Sequence, residues 1–168
     1  MTSSSWSSTG PGEEHEVTES WDEVVASLTA AYGLSAWGAE LGDGSFLTLE
    51  LGEPSMPGGE RGLYHLSISR AGWRIEDEAA VLAGSADDYD ELARRVRVLD
   101  GRKLASITVE HPSLSARFEF QGGLALITFS LSSTEGEHWM LFRPDGTVLT
   151  MGPGSTWSAG PSEHPSVT

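Results

Sequence analysis

Histidine and carboxylate residues are the side chains of this chain best suited to acid–base chemistry. The closest local group is Glu137 and His138, with His65 on another predicted strand. An imidazole beside a carboxylate can act as a general base near neutral pH. His138 alternates with Met140 and Phe142, however, which is more typical of a hydrogen-bonded core histidine. One hypothesis is therefore an enzyme or small-molecule-binding protein with a pocket near these three residues, and no catalytic residue is assigned.

Metal and cofactor chemistry is not indicated by the spacing of the possible ligands. The five histidines are scattered, no H-x-H or H-x-x-x-H pair occurs, and the chain has no cysteine. The acidic runs at residues 76–78 and 87–91 lack the pattern of a calcium-binding loop. The segment 152–156 resembles a fragment of a nucleotide-binding loop but has no lysine. The sequence predicts neither a metal site nor a cofactor.

The distribution of charge limits the class of partner. The chain has 168 residues and a formal net charge of −15. Its first sixty residues contain eleven acidic side chains and no lysine or arginine, and all ten basic residues lie between Arg61 and Arg143. Such a chain repels nucleic acid and anionic membranes and permits binding to a basic protein. A tryptophan among carboxylates suits an interface with such a protein. The candidate binding residues are Trp37, Glu40, Asp43, Glu50 and Glu53.

The elements that have to position these residues are predicted from periodicity. A capping box at Ser20 and Glu23 begins a helix that ends at Gly33, and a second helix spans residues 86–99. Strand pairs are predicted at 37–41 with 45–51 and at 63–69 with 72–76. Five further strands form a meander, at residues 103–110, 114–120, 124–131, 137–142 and 147–151. The fold class is therefore α+β, with a strongly curved antiparallel meander sheet or partly open barrel of about eight to nine strands packed on two helices.

The length of the chain suits a single domain with terminal tails. Residues 1–17 are predicted to be a disordered acidic tail, residues 18–158 a single α+β domain, and residues 159–168 a disordered tail. The chain has no signal-peptide pattern and no apolar run long enough to cross a membrane. Together with the absence of cysteine, this favours the cytoplasm.

Three segments carry a resemblance to a known group of proteins. They are WGAELGDGSFLTLELG at 37–52, HWMLFRPDG at 138–146 and GPGSTW at 152–157. They resemble small uncharacterised proteins of actinobacterial type over about residues 20–158, and this resemblance implies no activity and no catalytic residue.

In general character the chain is also similar to the immunity proteins that neutralise bacterial toxins, because it is acidic, free of cysteine and of single-domain size. Many such proteins mask a basic active site with a carboxylate-rich surface. This resemblance implies a non-catalytic protein-binding module, an immunity-like inhibitor of a basic protein. Two alternatives remain open: the enzyme or small-molecule binder described above, and a homo-oligomer that pairs through its apolar strands.

Overall fold

The structure of the protein, a computed structural model, describes residues 19–162. The predicted N-terminal tail, residues 1–17, lies outside the described residues, as do residues 163–168. Helix α1 (Trp21–Ser27) begins at the predicted capping box, in which the Glu23 N–H donates to Ser20 Oγ and the Ser20 N–H donates to Glu23 Oε1. It continues as a 3-10 helix over Leu28–Ala31.

The second helix, α2 (Tyr89–Arg95), begins later than predicted and also continues as a 3-10 helix, over Val96–Leu99. The late start has a local cause: Asp87 Oδ2 accepts the Gly84 N–H at 2.9 Å, which closes a turn before the helix. No helix in residues 19–162 is both long and apolar enough to span a membrane.

Eleven strands in the described residues form two antiparallel sheets. The strands are β1 (Ala36–Leu41), β2 (Leu47–Pro54), β3 (Gly62–Ile68), β4 (Ala71–Glu76), β5 (Val81–Gly84), β6 (Leu104–Val109), β7 (Ala116–Phe120), β8 (Leu124–Ser130), β9 (Trp139–Phe142), β10 (Thr147–Met151) and β11 (Trp157–Pro161). Sheet I has the order β1-β2-β3-β9-β10-β11, and sheet II has the order β5-β4-β8-β7-β6. The α+β class and the antiparallel pairing are confirmed. The eleven strands in two sheets replace the predicted single sheet of eight to nine strands, and the described residues form no closed barrel.

The chain passes from sheet I to sheet II at Ser69 and Arg70, where a hairpin between β3 and β4 was predicted. The predicted pair is wrong: β3 pairs with β9, and β4 pairs with β8. A two-residue hairpin needs residues that accept a positive φ, such as glycine or asparagine, and Ser-Arg does not supply them. The strand therefore bends into the other sheet. The predicted five-strand meander is also divided, since β8 lies in sheet II and β9 in sheet I.

The inner faces of the two sheets pack together around two buried tryptophans. The ring of Trp139 on β9 meets that of Phe118 on β7 edge-on, with centroids 5.4 Å apart. The Trp139 indole N–H donates to the Leu114 carbonyl at 3.1 Å. The Trp73 indole N–H on β4 donates to the Ser45 carbonyl at 2.8 Å. Trp139 therefore links the two sheets through its ring, and Trp73 links β4 to the β1–β2 turn through its N–H.

The helices close two sides of the core. Their buried side chains, which include Val24, Leu28, Leu92 and Val96, belong to the same hydrophobic cluster as the inner faces of the sheets. The Tyr32 hydroxyl binds both the N–H and the C=O of Ile107 on β6, at 3.0 and 3.2 Å. The described helices therefore lie on the core side of the sheets, and neither covers the outer face of sheet I.

The last strand extends past the predicted end of the domain. β11 pairs with β10 as far as Pro161, which is opposite Thr147. Residues 159–161 therefore belong to sheet I rather than to the tail predicted from residue 159. A proline is tolerated there because β11 is an edge strand, where no second neighbour requires its missing N–H.

Candidate functional site

The outer face of sheet I carries two rows of side chains that run across all six strands. The first row consists of Trp37, Glu50, His65, Phe142, Val148 and Gly160. The second row consists of Glu40, Thr48, Ser67, Met140, Thr150 and Ser158. The alternate residues of the same strands face the core. Candidate residues from two separate sequence hypotheses, Trp37 and His65, thus lie in one row.

A bulge in β1 places Trp37 and Glu40 on the same face. Strict alternation along a strand would put residues three positions apart on opposite faces. The register of β1 shifts between these two residues, and Gly38 within the shift has a φ of 65°. As a result Ala36 and Ala39 both face the core, and both Trp37 and Glu40 face outward.

The predicted binding residues are only partly brought together. Trp37 is half-buried, while Glu40, Asp43 and Glu53 are exposed. Asp43 lies in the turn at the far end of the β1–β2 hairpin, and Glu53 lies near the end of β2. Glu50 differs from the others because it is only 6% exposed. It is therefore too buried to meet a partner directly.

A groove lies beside Trp37, with a volume of about 470 Å³. Its lining includes Leu34, Trp37, Gly52, Glu53, Pro54 and Lys103. The apolar surface comes from the leucine, tryptophan and proline side chains, and the two charged lining residues are both exposed. The volume is within the range of small-ligand pockets, which is roughly 300–1,000 Å³.

Glu50 and His65 form a buried carboxylate–imidazole pair in the first row. Glu50 Oε2 lies 2.7 Å from His65 Nδ1, and Glu50 Oε1 accepts the Gly62 N–H at 2.9 Å. A carboxylate accepts hydrogen bonds, so this contact favours the tautomer of His65 that carries its proton on Nδ1. The imidazole also packs on Phe142, with ring centroids 5.6 Å apart. Two donors thus compensate the buried carboxylate, as burial of a charge requires.

Among residues 19–162, the structure does not bring the predicted pocket residues His65, Glu137 and His138 together. Glu137 is exposed, and the His138 carbonyl accepts the Ser69 N–H at 3.2 Å. Ser69 lies four residues beyond His65 along the chain, a distance of about 13 Å in extended backbone. Within residues 19–162 no group of three or more histidine, aspartate or glutamate side chains could hold a metal ion.

Comparison of the chain with protein-family models, with curated proteins and with solved structures finds no match in any of the three.

The His138 side chain is enclosed in apolar surroundings. It is 1% exposed, and neither ring nitrogen has a hydrogen-bond partner among the described residues. A Cβ atom added to Gly152 would lie 2.7 Å from the His138 ring, so the turn after β10 packs directly on it. Burial lowers the pKa of His138 below its ordinary value of 6.5, because the charged imidazolium would lose its hydration. His138 is therefore a buried residue in which the neutral imidazole is favoured.

Replacement of His138 by phenylalanine is expected to make the protein less sensitive to acid. Because the native state resists protonation at this site, the wild-type free energy of unfolding is unaffected by His138 well above pH 6.5 and decreases as the pH falls below that value. The contribution is at most about 1.4 kcal/mol per pH unit for one proton. Urea unfolding at several pH values between 8 and 5 would measure the slope, and parallel curves for both proteins would contradict the prediction.

Proposed function

We propose that this protein is a non-catalytic binding module that recognises a basic protein through the outer face of sheet I and the Trp37 groove. The observation that carries the proposal is that, at the β1–β2 end of this face, the half-buried Trp37 lies near the exposed carboxylates of Glu40 and Glu53. An immunity-like inhibitor, which covers a basic active site, is the form of this function that best suits the composition.

Uncompensated charge favours a cationic partner. Glu40, Asp43 and Glu53 form no salt bridge with any residue between 19 and 162. No lysine or arginine precedes Arg61 in the chain. Unpaired surface carboxylates attract a basic protein during diffusion and repel an acidic one, and this attraction weakens as salt increases.

Trp37 supplies the apolar anchor for such an interface. Its indole N–H donates to the Gly52 carbonyl at 2.7 Å, which fixes the ring at the wall of the groove. A tryptophan held in one orientation loses little entropy when a partner covers it. Two exposed apolar side chains, Phe46 and Met56, lie in the segments that flank β2.

Charge reversal on the proposed face is expected to abolish capture of the partner. The bait is the full chain, exposed to a lysate of the native host, and captured proteins are identified by mass spectrometry. The double variant Glu40→Lys/Glu53→Lys should lose a basic protein that the wild type retains at low salt, and Trp37→Ala should weaken its binding by about thirtyfold, which corresponds to a hot-spot residue of about 2 kcal/mol.

The matched control changes the net charge equally at other positions. Glu78→Lys/Glu110→Lys alters two exposed carboxylates outside the proposed face. This variant should retain most of the binding, and calorimetry with the purified partner would quantify the difference. Equal losses in the two double variants, or capture of an acidic protein through the face, would overturn the proposal.

A second candidate function is binding of a small ligand in the groove, as its volume and its two opposite charges would allow. The ligand would carry both an acidic and a basic group around an apolar body. Lys103→Gln would then reduce its affinity, whereas Glu40→Lys would not, because Glu40 does not line the groove. Calorimetry with apolar amino acids and dipeptides as probes would separate this function from protein binding.

A further inference from the structure

One wall of the groove is a bulge in β2. Leu51 pairs with Tyr64, and Pro54 pairs with Gly62, so three steps along β2 match two steps along β3. The extra residue lies in the segment Gly52–Glu53, and Gly52 adopts a φ of 84°. A bulge leaves part of the ladder without its regular partners. The segment therefore needs other contacts to hold its shape.

Side-chain and backbone hydrogen bonds hold this bulge on both sides of β2. On the β1 side, the Gly52 carbonyl accepts the Trp37 indole N–H at 2.7 Å, and the Gly52 N–H donates to the Ser35 carbonyl at 2.9 Å. On the β3 side, the Gly62 N–H donates to Glu50 Oε1. The Glu50 carboxylate thus replaces a backbone acceptor at the point where the register shifts.

Gly62, whose N–H binds the Glu50 carboxylate, links Glu50 to the bulge because the backbone at Gly62 is in close contact with the backbone of Leu51 and Gly52. A Cβ atom on Gly62 would lie 2.7 Å from the Leu51 carbonyl oxygen and 2.9 Å from that of Gly52. Both distances are shorter than real Cβ contacts, so the backbone at Gly62 lies directly against the bulge. A shift at Gly62 therefore displaces Gly52, which binds the Trp37 indole.

We infer that Glu50 and His65 are positioning residues of the groove. His65 supplies the second donor that the buried Glu50 carboxylate needs, and Glu50 fixes Gly62 and with it the bulge that carries Glu53 and Pro54. The pair thereby sets the orientation of the Trp37 indole from the opposite side of β2. The functional meaning of this inference rests on the proposed function, because that proposal makes the groove a contact surface.

The test uses the full chain alone and two-dimensional ¹H–¹⁵N NMR. The indole resonance of Trp37 is assigned by its loss in Trp37→Phe. In Glu50→Ala and His65→Phe this resonance is expected to shift or broaden, and the Gly62 amide to exchange with solvent about tenfold faster or more, because its acceptor is lost or loosened. Glu50→Gln keeps a carbonyl acceptor for Gly62 and should restore most of the wild-type behaviour.

Two controls separate positioning from a general loss of structure. The indole resonance of Trp139, whose N–H binds the Leu114 carbonyl in the core, should remain unchanged in every folded variant. Thr48→Val, on the same outer face but without a side-chain contact to the bulge, should leave the Trp37 resonance unchanged. If Glu50→Ala does not fold, the His65→Phe variant is used to test the inference.

An unchanged Trp37 indole and Gly62 amide in folded Glu50→Ala or His65→Phe would overturn the inference, as would a general change that includes Trp139. Changes confined to Trp37 and the bulge would support it. Because no partner is used, this result is independent of the proposed function. If the wild type binds no basic protein while the resonances change as expected, the proposed function fails and the positioning role stands.

Discussion

Replacement of Trp139 by alanine is expected to lower the free energy of unfolding by about 3–5 kcal/mol, the range for truncation of a fully buried large aromatic residue. Trp139 is 0% exposed and packs between the two sheets against Phe118. Its removal opens a cavity there, since the backbone of both sheets restricts collapse. The Leu114 carbonyl also loses its donor, which adds the cost of an unsatisfied buried acceptor. Urea unfolding monitored by circular dichroism measures the change.

Trp37→Ala is the matched control, because the same side chain is removed from the outer face of sheet I. There solvent fills the space that the ring leaves, so a cost of about 1–2 kcal/mol is expected for the half-buried residue. A difference of less than about 1 kcal/mol between the two variants would contradict the assignment of an inner and an outer face. That assignment underlies the proposed binding surface.

Replacement of Arg143 by methionine is expected to cost about 2–3 kcal/mol. The Arg143 side chain is only 9% exposed, and its Nη2 lies 2.8 Å from Glu19 Oε1. The guanidinium also donates to Ser27 Oγ at 3.2 Å and to Thr147 Oγ1 at 2.8 Å. It thereby attaches Glu19 and α1 to the β9–β10 turn. Methionine fills the volume but leaves these acceptors without a donor. Loss of a fully buried partner costs about 3–5 kcal/mol, and the value is lower here because Glu19 is 25% exposed.

A double-mutant cycle with Glu19→Gln tests the origin of this loss. A coupling energy of about 1 kcal/mol between the two sites would assign part of the cost to the ion pair. Arg94→Met is the control, since Arg94 pairs with Glu91 on the surface and should cost no more than about 0.5 kcal/mol. Similar losses for the two arginine variants would show that burial of Arg143 contributes nothing.

Local signals in the sequence predict most elements of this fold, with the exceptions of β5 and β11. The capping box at Ser20 and Glu23 determines the start of α1, and the five later strands lie within about two residues of their predicted positions. The sheet assignment could not be predicted in the same way. Alternation along a strand gives its inward and outward faces, but it does not tell which neighbour accepts its hydrogen bonds. Because the chain bends at Ser69 and Arg70, β3 and β4 do not pair with each other as the sequence predicted.

The candidate site was predictable only where it depends on a single strand. Trp37 and Glu40 are on the accessible face, although the bulge at Gly38 that places them together was not foreseen. The Glu50–His65 pair joins two strands across a glycine- and proline-rich loop, and its register depends on a second bulge. The sequence offered one indication of this pair: both residues are polar side chains within apolar strands on either side of that loop. The burial of Glu50 and the lack of a hydrogen-bond partner for His138 among the described residues depend on tertiary contacts, which the spacing of residues in the sequence does not reveal.

The short passage from one sheet to the other has a kinetic consequence. β3 runs into β4 with only Ser69 and Arg70 between them, and the inner faces of both sheets belong to one hydrophobic cluster. A macromolecule that docks on the outer face therefore meets a sheet that is backed by a shared core. We therefore expect its association rate to be limited by diffusion and mutual orientation rather than by a rearrangement of this protein, and affinity differences among interface variants to lie in the dissociation rate.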